Sequence, residues 1–196
     1  GSGVDTNEYE FCSLKKYDVF FLASRLLITK GLREYFEAAT IVKRKYPNVT
    51  FLLAGDFDPN PDGITKEELE KYTKNKTVEY LGVVKDMVEA LQDCTVFVLP
   101  SYYREGIPHA VLEAMSIGRA ILTTDSIGCR ETINGKNGYL VKPKDAKDLA
   151  NKMITMIKNK EKTKQMGIES RKYVEHRFDV KIVNKNMLET MHLYEE

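Results

Sequence analysis

Apolar positions along this chain follow two spacings that alternate. Four short runs, "DVFFLAS" (Asp18–Ser24), "VTFLLAG" (Val49–Gly55), "VEYLG" (Val78–Gly82) and "TVFVLP" (Thr95–Pro100), are rich in β-branched and aromatic residues. Strands with so little polar alternation are buried on both faces, as in a parallel sheet. "AILTT" (Ala120–Thr124) and "GYLV" (Gly138–Val141) are two shorter candidates. Helical spacing lies between them. "LREYFEAATIVKRKY" (Leu32–Tyr46) repeats apolar residues on one face and stops at Pro47, while "TKEELEKYTKN" opens on Thr65 with Glu68 three residues later, a capping-box pattern. Strand–helix alternation over about 140 residues predicts an α/β fold, a doubly wound parallel sheet of about six strands with helices on both faces. After Val141 the strands stop, and "DAKDLANKMITMIKN", "EKTKQMGIESRKYVEHRF" and "DVKIVNKNMLETMHLYEE" predict three consecutive helices.

This pattern divides the chain into Gly1–Gly3, which looks like an expression scar, a leader over 4–17, one sheet domain over 18–178 and a C-terminal helix over 179–196. With 196 residues and 42% hydrophobic content, one substantial core is within reach. Thirty basic against 29 acidic residues leave a net charge of +1, which gives no overall field to recruit nucleic acid or an anionic membrane. Any electropositive site must be local. Cys12, Cys94 and Cys129 form no CxxC pair and the three histidines are scattered, so zinc ligation has no support and reduced thiols in the cytoplasm are expected. No apolar run approaches the roughly 18–20 residues that cross a bilayer. The lysines between Lys152 and Lys164 interleave with apolar residues at helical spacing, which predicts a solvated helix face and not a membrane patch.

Ligands of open parallel sheets bind outside the carboxyl ends of the strands, and three loops there carry unusual residues. After the first strand, "SRLLITKG" (Ser24–Gly31) places Arg25 at the strand end and Lys30 immediately before a helix. Both could face an anion together with helix-start amides, or both could be ordinary surface charges. Neither GxxxxGK[ST] nor GxGxxG is present, which disfavours a standard ATP or NAD site. After the fourth strand, "REGIPHAVLEAM" (Arg104–Met115) sets Glu105 and Glu113 on either side of a Gly-Ile-Pro turn. Pro108 suits a first helical turn, Gly106 permits close approach of a ligand, and the amides of Gly106 and Ile107 would face a phosphate. Each hydrogen bond to such a charged group contributes about 1.5–3 kcal/mol. Carboxylates would be repelled by that phosphate, so the glutamates are expected on hydroxyls. Glu113 sits in the apolar run "AVLEAM", where an unpaired charge would be costly. In the third loop, "LGVVKDM" (Leu81–Met87), Asp86 can cap a helix, and Val83 and Val84 offer either a surface for a flat base or plain core packing.

Taken together, these residues resemble the donor-binding half of family 4 glycosyltransferases, retaining enzymes of the two-domain, Rossmann-like GT-B type, with a bacterial polysaccharide flavour. The likeness rests on Glu-x7-Glu at Glu105 and Glu113 inside "LPSYYREGIPHAVLEAMSIGRAILTTDSIGCRETI", on Arg25, Lys30 and Gly31, and on "NGYLV". It extends over nearly all of residues 18–180. The resemblance implies catalytic roles for Arg25 and Lys30, which neutralise the donor diphosphate, and for Glu105, which meets the transferred sugar. It implies that Glu113 holds the ribose and that Gly106, Ile107, Pro108, Val84 and Leu112 complete the substrate site. His109 stands where many relatives carry arginine. The implied reaction moves a sugar from a nucleoside diphosphate sugar, with UDP-sugars expected, to a glycan or lipid-linked acceptor with retention of configuration. No metal or other cofactor is expected, and the Asp56-Phe57-Asp58 triplet is read as a turn. Relatives carry a preceding acceptor-binding domain that this chain lacks, so full activity is not expected of it alone. The implied location is the cytoplasm, with peripheral attachment to the inner face of the plasma membrane as an option for the parent enzyme. Two other readings compete: a sugar-nucleotide epimerase or hydrolase half-domain, and a non-catalytic nucleotide-binding module.

Overall fold

A computed structural model of the protein describes residues 2–104 and 106–191. The expected scar residue Gly1, Glu105 and the end of the C-terminal helix, 192–196, lie outside the described residues. The fold is the expected one. Six strands, β1 (Val19–Ala23), β2 (Thr50–Ala54), β3 (Glu79–Tyr80), β4 (Val96–Leu99), β5 (Ala120–Thr124) and β6 (Gly138–Val141), form one parallel sheet in the order β3-β2-β1-β4-β5-β6. Seven helices accompany them among the described residues: α1 (Leu32–Lys45), α2 (Lys66–Thr73), α3 (Met87–Gln92), α4 (His109–Ile117), α5 (Ala146–Lys158), α6 (Lys160–Arg177) and α7 (Val180–Thr190).

The sheet is covered on both sides because its strands are apolar on both sides. Phe20 and Leu22 point into a core shared with Tyr35, Phe36 and Val42 of α1, Leu69 of α2 and Met153 of α5. Phe21 and Ala23 point the other way, toward Leu91 of α3 and Val111, Leu112 and Met115 of α4. The helical spacing of Leu32, Tyr35, Phe36, Ala39 and Val42 makes α1 bury one full stripe. The edge strand β3 is shorter than its sequence suggests: Glu79 is exposed and β3 pairs only with β2. With one neighbour, an edge strand gains half the ladder bonds of a central one, so pairing is lost early.

The lysine-dense stretch forms a solvated face, with Lys158, Lys160, Lys162 and Lys164 exposed and Lys160 paired with Asp18 at 2.6 Å. The leader is packed, not free. Val4 bridges to Asp179, Cys12 N–H donates to the Ile117 carbonyl at 3.1 Å, and the buried Arg119 guanidinium donates to the Cys94 carbonyl at 3.2 Å and to the Cys12 carbonyl.

Between β1 and β4 the connections leave toward opposite faces, so the loops after them diverge and open a crevice at the carboxyl edge. Gly31 holds the two loops together below that crevice. Its φ is +80°, and a Cβ there would lie 2.2 Å from the Pro100 carbonyl oxygen. The same approach lets the amides of Tyr102 and Tyr103 donate to the Thr29 carbonyl at 3.0 and 3.1 Å. Gly31→Ala combines a left-handed backbone with a backbone overlap, and should lower unfolding free energy by at least about 2 kcal/mol in urea titrations. A loss within measurement error would show that the loops need no close approach.

Candidate functional site

Two helices begin at the crevice, and neither has a side-chain cap. The N-cap of α1 is Gly31, and that of α4 is Pro108, at φ −70°. By contrast, Thr65, Asp86, Asp145 and Asp179 cap α2, α3, α5 and α7 with side-chain oxygens. Uncapped first-turn amides and the positive ends of two helix dipoles therefore share one crevice. The first turn of α4 carries no acidic residue. Over Gly106 the space is open, since an added Cβ would meet no described atom within 4 Å. Ile107 is half-buried against the second core and Pro108 is buried, which anchors the turn from beneath.

Lys30 ends the turn before α1 and is buried, with 8% of its surface exposed. Its ammonium lies 5.1 Å from the centroid of the Tyr103 ring, so the β4 loop contributes a π-face to the lysine of the β1 loop. That β1 loop is braced from the loop after β2, where Asp62 accepts from Thr29 N–H at 3.2 Å and from the Thr29 hydroxyl. Arg25 is more exposed and donates to Asp58 at 3.0 Å. An ion pair this exposed contributes at most about 1 kcal/mol, so a diphosphate could displace Asp58 at small cost. Asp58 also accepts from Asn60 N–H, and Asp56 from Phe57 N–H, which are turn contacts within the Asp56-Phe57-Asp58 loop. No group of three or more His, Cys, Asp or Glu side chains able to hold a metal occurs among the described residues.

Glu113 stands one turn into α4, its side chain 16% exposed. Its Oε1 accepts from the Tyr9 hydroxyl at 3.0 Å and from His109 Nδ1 at 2.9 Å. The neighbouring Leu112 is fully buried and supports the helix from the sheet side. Across the crevice, Val83 is 64% exposed on the β3 loop and Val84 is half-buried against the second core. Arg25 and Lys30 thus lie on the β1 loop, the Gly106–Pro108 turn on the β4 loop, and Glu113 one turn along the helix that follows it. Glu105 is outside the described residues.

Sequence reasoning missed Tyr9, Asp62 and Tyr103. Tyr9 reaches Glu113 from 104 positions away, a pairing with no local signal. Asp62 lies in the turn-rich "DPNPDG", and Tyr103 in the Tyr-Tyr pair after Ser101; they could have been marked as a turn residue and an aromatic ring, though not as facing the first loop. A groove of about 580 Å³, lined by Val19, Thr50, Leu52, Glu79, Val84 and Asp93, opens beside α3 and shares Val84 with the candidate site. It runs from the strand starts at Val19, Thr50 and Glu79 to the loop after β3, where Val84 and Asp86 line it.

An open parallel sheet with a buried lysine and two uncapped helix starts at its switch point has the features that suit phosphate-bearing ligands. Comparison with known proteins specifies the class. The family model described as glycosyl transferases group 1 matches residues 6–173. The chain is 39% identical over 148 residues to N,N'-diacetylbacillosaminyl-diphospho-undecaprenol alpha-1,3-N-acetylgalactosaminyltransferase of Campylobacter jejuni, covering 75% of this chain and 37% of that protein. Among solved structures, the C-terminal domain of a glycosyl transferase group 1 family protein (LpcC) from Francisella tularensis superposes with a TM-score of 0.80 at 24% identity, covering 91% of this chain and all of that one. Anabaena Alr3699/HepE in complex with UDP-glucose superposes with a TM-score of 0.83 at 25% identity, covering 98% of this chain and 56% of that one. The chain belongs to the group 1 glycosyl transferase family. It spans less than half the length of the curated relatives it matches.

The hydrogen bond to Glu113 raises the His109 pKa above its ordinary 6.5, against the opposing effect of burial; the Glu113 and Glu8 charges add to the rise. A folded-state pKa above the unfolded value means that His109 stabilises the fold fully below the unfolded pKa and loses that contribution as pH rises through the folded one. NMR titration should place His109 above 6.5, and Glu113→Gln should return it toward the ordinary value. An unchanged titration in that variant would show that the pair does not set the shift.

Proposed function

We propose that this domain binds the nucleoside diphosphate sugar donor of a glycosyltransferase, with a UDP-sugar as substrate. The observation that carries the reading is the meeting of the loop that bears Lys30 with the loop that leads into the uncapped start of α4, with the Glu113 carboxylate one turn along that helix. The diphosphate lies over the Gly106–Pro108 turn, where first-turn amides donate to it. Lys30, with Arg25 released from Asp58, neutralises its charge. Glu113 is set deeper along α4 and accepts from the ribose hydroxyls, with Val84 beneath the base. Glu105, by the family likeness, meets the transferred sugar.

Breaking the sugar–phosphate bond builds negative charge on the departing diphosphate, and fixed cations and amides stabilise that charge without reorganising. The site supplies this positive charge from its own side chains, so we propose that no divalent metal is needed. The acceptor is a glycan or lipid-linked sugar, in keeping with the diphospho-undecaprenol acceptor in the Campylobacter relative's name. Its binding, and with it complete transfer with retention of configuration, belongs to sequence that the longer relatives have and this chain does not span. No helix among the described residues is long and apolar enough to cross a membrane. A cytoplasmic site, with peripheral membrane attachment of the parent enzyme, remains part of the proposal.

Isothermal calorimetry with UDP in EDTA should show binding. Lys30→Ala should weaken it at least about tenfold, by loss of a charge-assisted bond to the phosphate. In a full-length enzyme the same change should lower kcat about 10²–10³-fold. Equal affinity of wild type and Lys30→Ala, or binding that requires added Mg²⁺, would refute the metal-free diphosphate site.

A further inference from the structure

The Glu113 carboxylate is held by a residue far from the site in sequence. Tyr9 and His109 both donate to Oε1, at 3.0 and 2.9 Å, and no described side chain or amide donates to Oε2. Burial and the adjacent Glu113 charge hold the Tyr9 pKa well above its ordinary value, so the phenol keeps its proton and donates throughout the physiological range.

Tyr9 cannot drift, because its backbone is clamped. Its carbonyl accepts from Ser116 Oγ at 2.6 Å and from the Arg171 guanidinium at 2.8 Å, and Arg171 also donates to the carbonyls of Thr6 and Ser116. His109, Glu113 and Ser116 follow helical spacing on α4 and form one stripe against the leader. The other end of the leader is tied to the start of α7. Val4 N–H donates to Phe178, Val180 N–H donates to Val4, and the Thr6 hydroxyl bonds Asp179 at 2.5 Å.

We propose that Tyr9 is a positioning residue for the nucleotide site: its phenol fixes the Glu113 carboxylate so that Oε2 faces the ribose diol. This rests on the reading of Glu113 as the ribose acceptor. A carboxylate with two free oxygens rotates about its terminal torsion, and locking one oxygen leaves the other preset for the 2′- and 3′-hydroxyls. Because the leader also bonds the start of α7, the ribose acceptor is mechanically joined to the segment that enters the domain and to the one that leaves it.

The test is calorimetric binding of UDP and of 2′,3′-dideoxyuridine diphosphate to wild type, Tyr9→Phe and Glu113→Gln. Wild type should prefer UDP. Tyr9→Phe should lose about tenfold in UDP affinity and leave the dideoxy affinity unchanged, since only the diol contact depends on the phenol. A fold merely loosened by the substitution would weaken both ligands alike, and that outcome would overturn the proposal. So would tighter UDP binding by Tyr9→Phe, which would mean that the phenol blocks the site. If Glu113→Gln retains the ribose preference, the reading of Glu113 itself fails. If Glu113→Gln loses the preference and Tyr9→Phe keeps it, the positioning role of Tyr9 alone is refuted.

Discussion

The backbone contact between Gly31 and Pro100 is the constraint on which the rest of the site depends. Two loops that leave the sheet toward opposite faces would ordinarily separate. Here the missing Cβ lets them touch, and the Thr29 carbonyl then accepts two amides of the β4 loop. That contact sets Lys30 against Tyr103 and brings the starts of α1 and α4 to one crevice. A side chain at position 31 would push these two loops apart.

The electrostatics follow from that placement. A chain with net charge +1 has no field to attract a dianion, so attraction must come from a few oriented groups. The crevice concentrates them: one buried ammonium, one guanidinium in an exposed and displaceable pair, and helix-start N–H groups that no N-cap side chain satisfies among the described residues. The only described carboxylate at the start of α4 is Glu113, with one oxygen occupied by Tyr9 and His109. Its remaining oxygen suits a neutral hydroxyl donor and repels phosphate, and in the proposed complex it would therefore meet the ribose and not the diphosphate.

Much of this was legible in the sequence because it depends on local pattern. The all-apolar runs gave every strand, and the boundaries failed mainly at β3, where an exposed edge shortened the pairing. Thr65 and Asp86 announced their helices by capping chemistry, and the three terminal helices by period. Glu113 stood out as a charge in an apolar run where charge is costly, and Lys30 as a cation at a strand-to-helix junction. What stayed hidden is contact between distant segments. Nothing near Tyr9 suggests that it reaches α4, and the turn around Asp62 does not name Thr29 as its partner. Such pairs are created by the sheet order, which brings the leader, α4 and α6 together only after folding.

The most direct measurement is a crystal structure of the protein with UDP. The diphosphate should lie between Lys30 and the first turn of α4, with the ribose hydroxyls on Glu113 Oε2. UDP bound with its diphosphate away from Lys30 and the first turn of α4 would contradict the central claim.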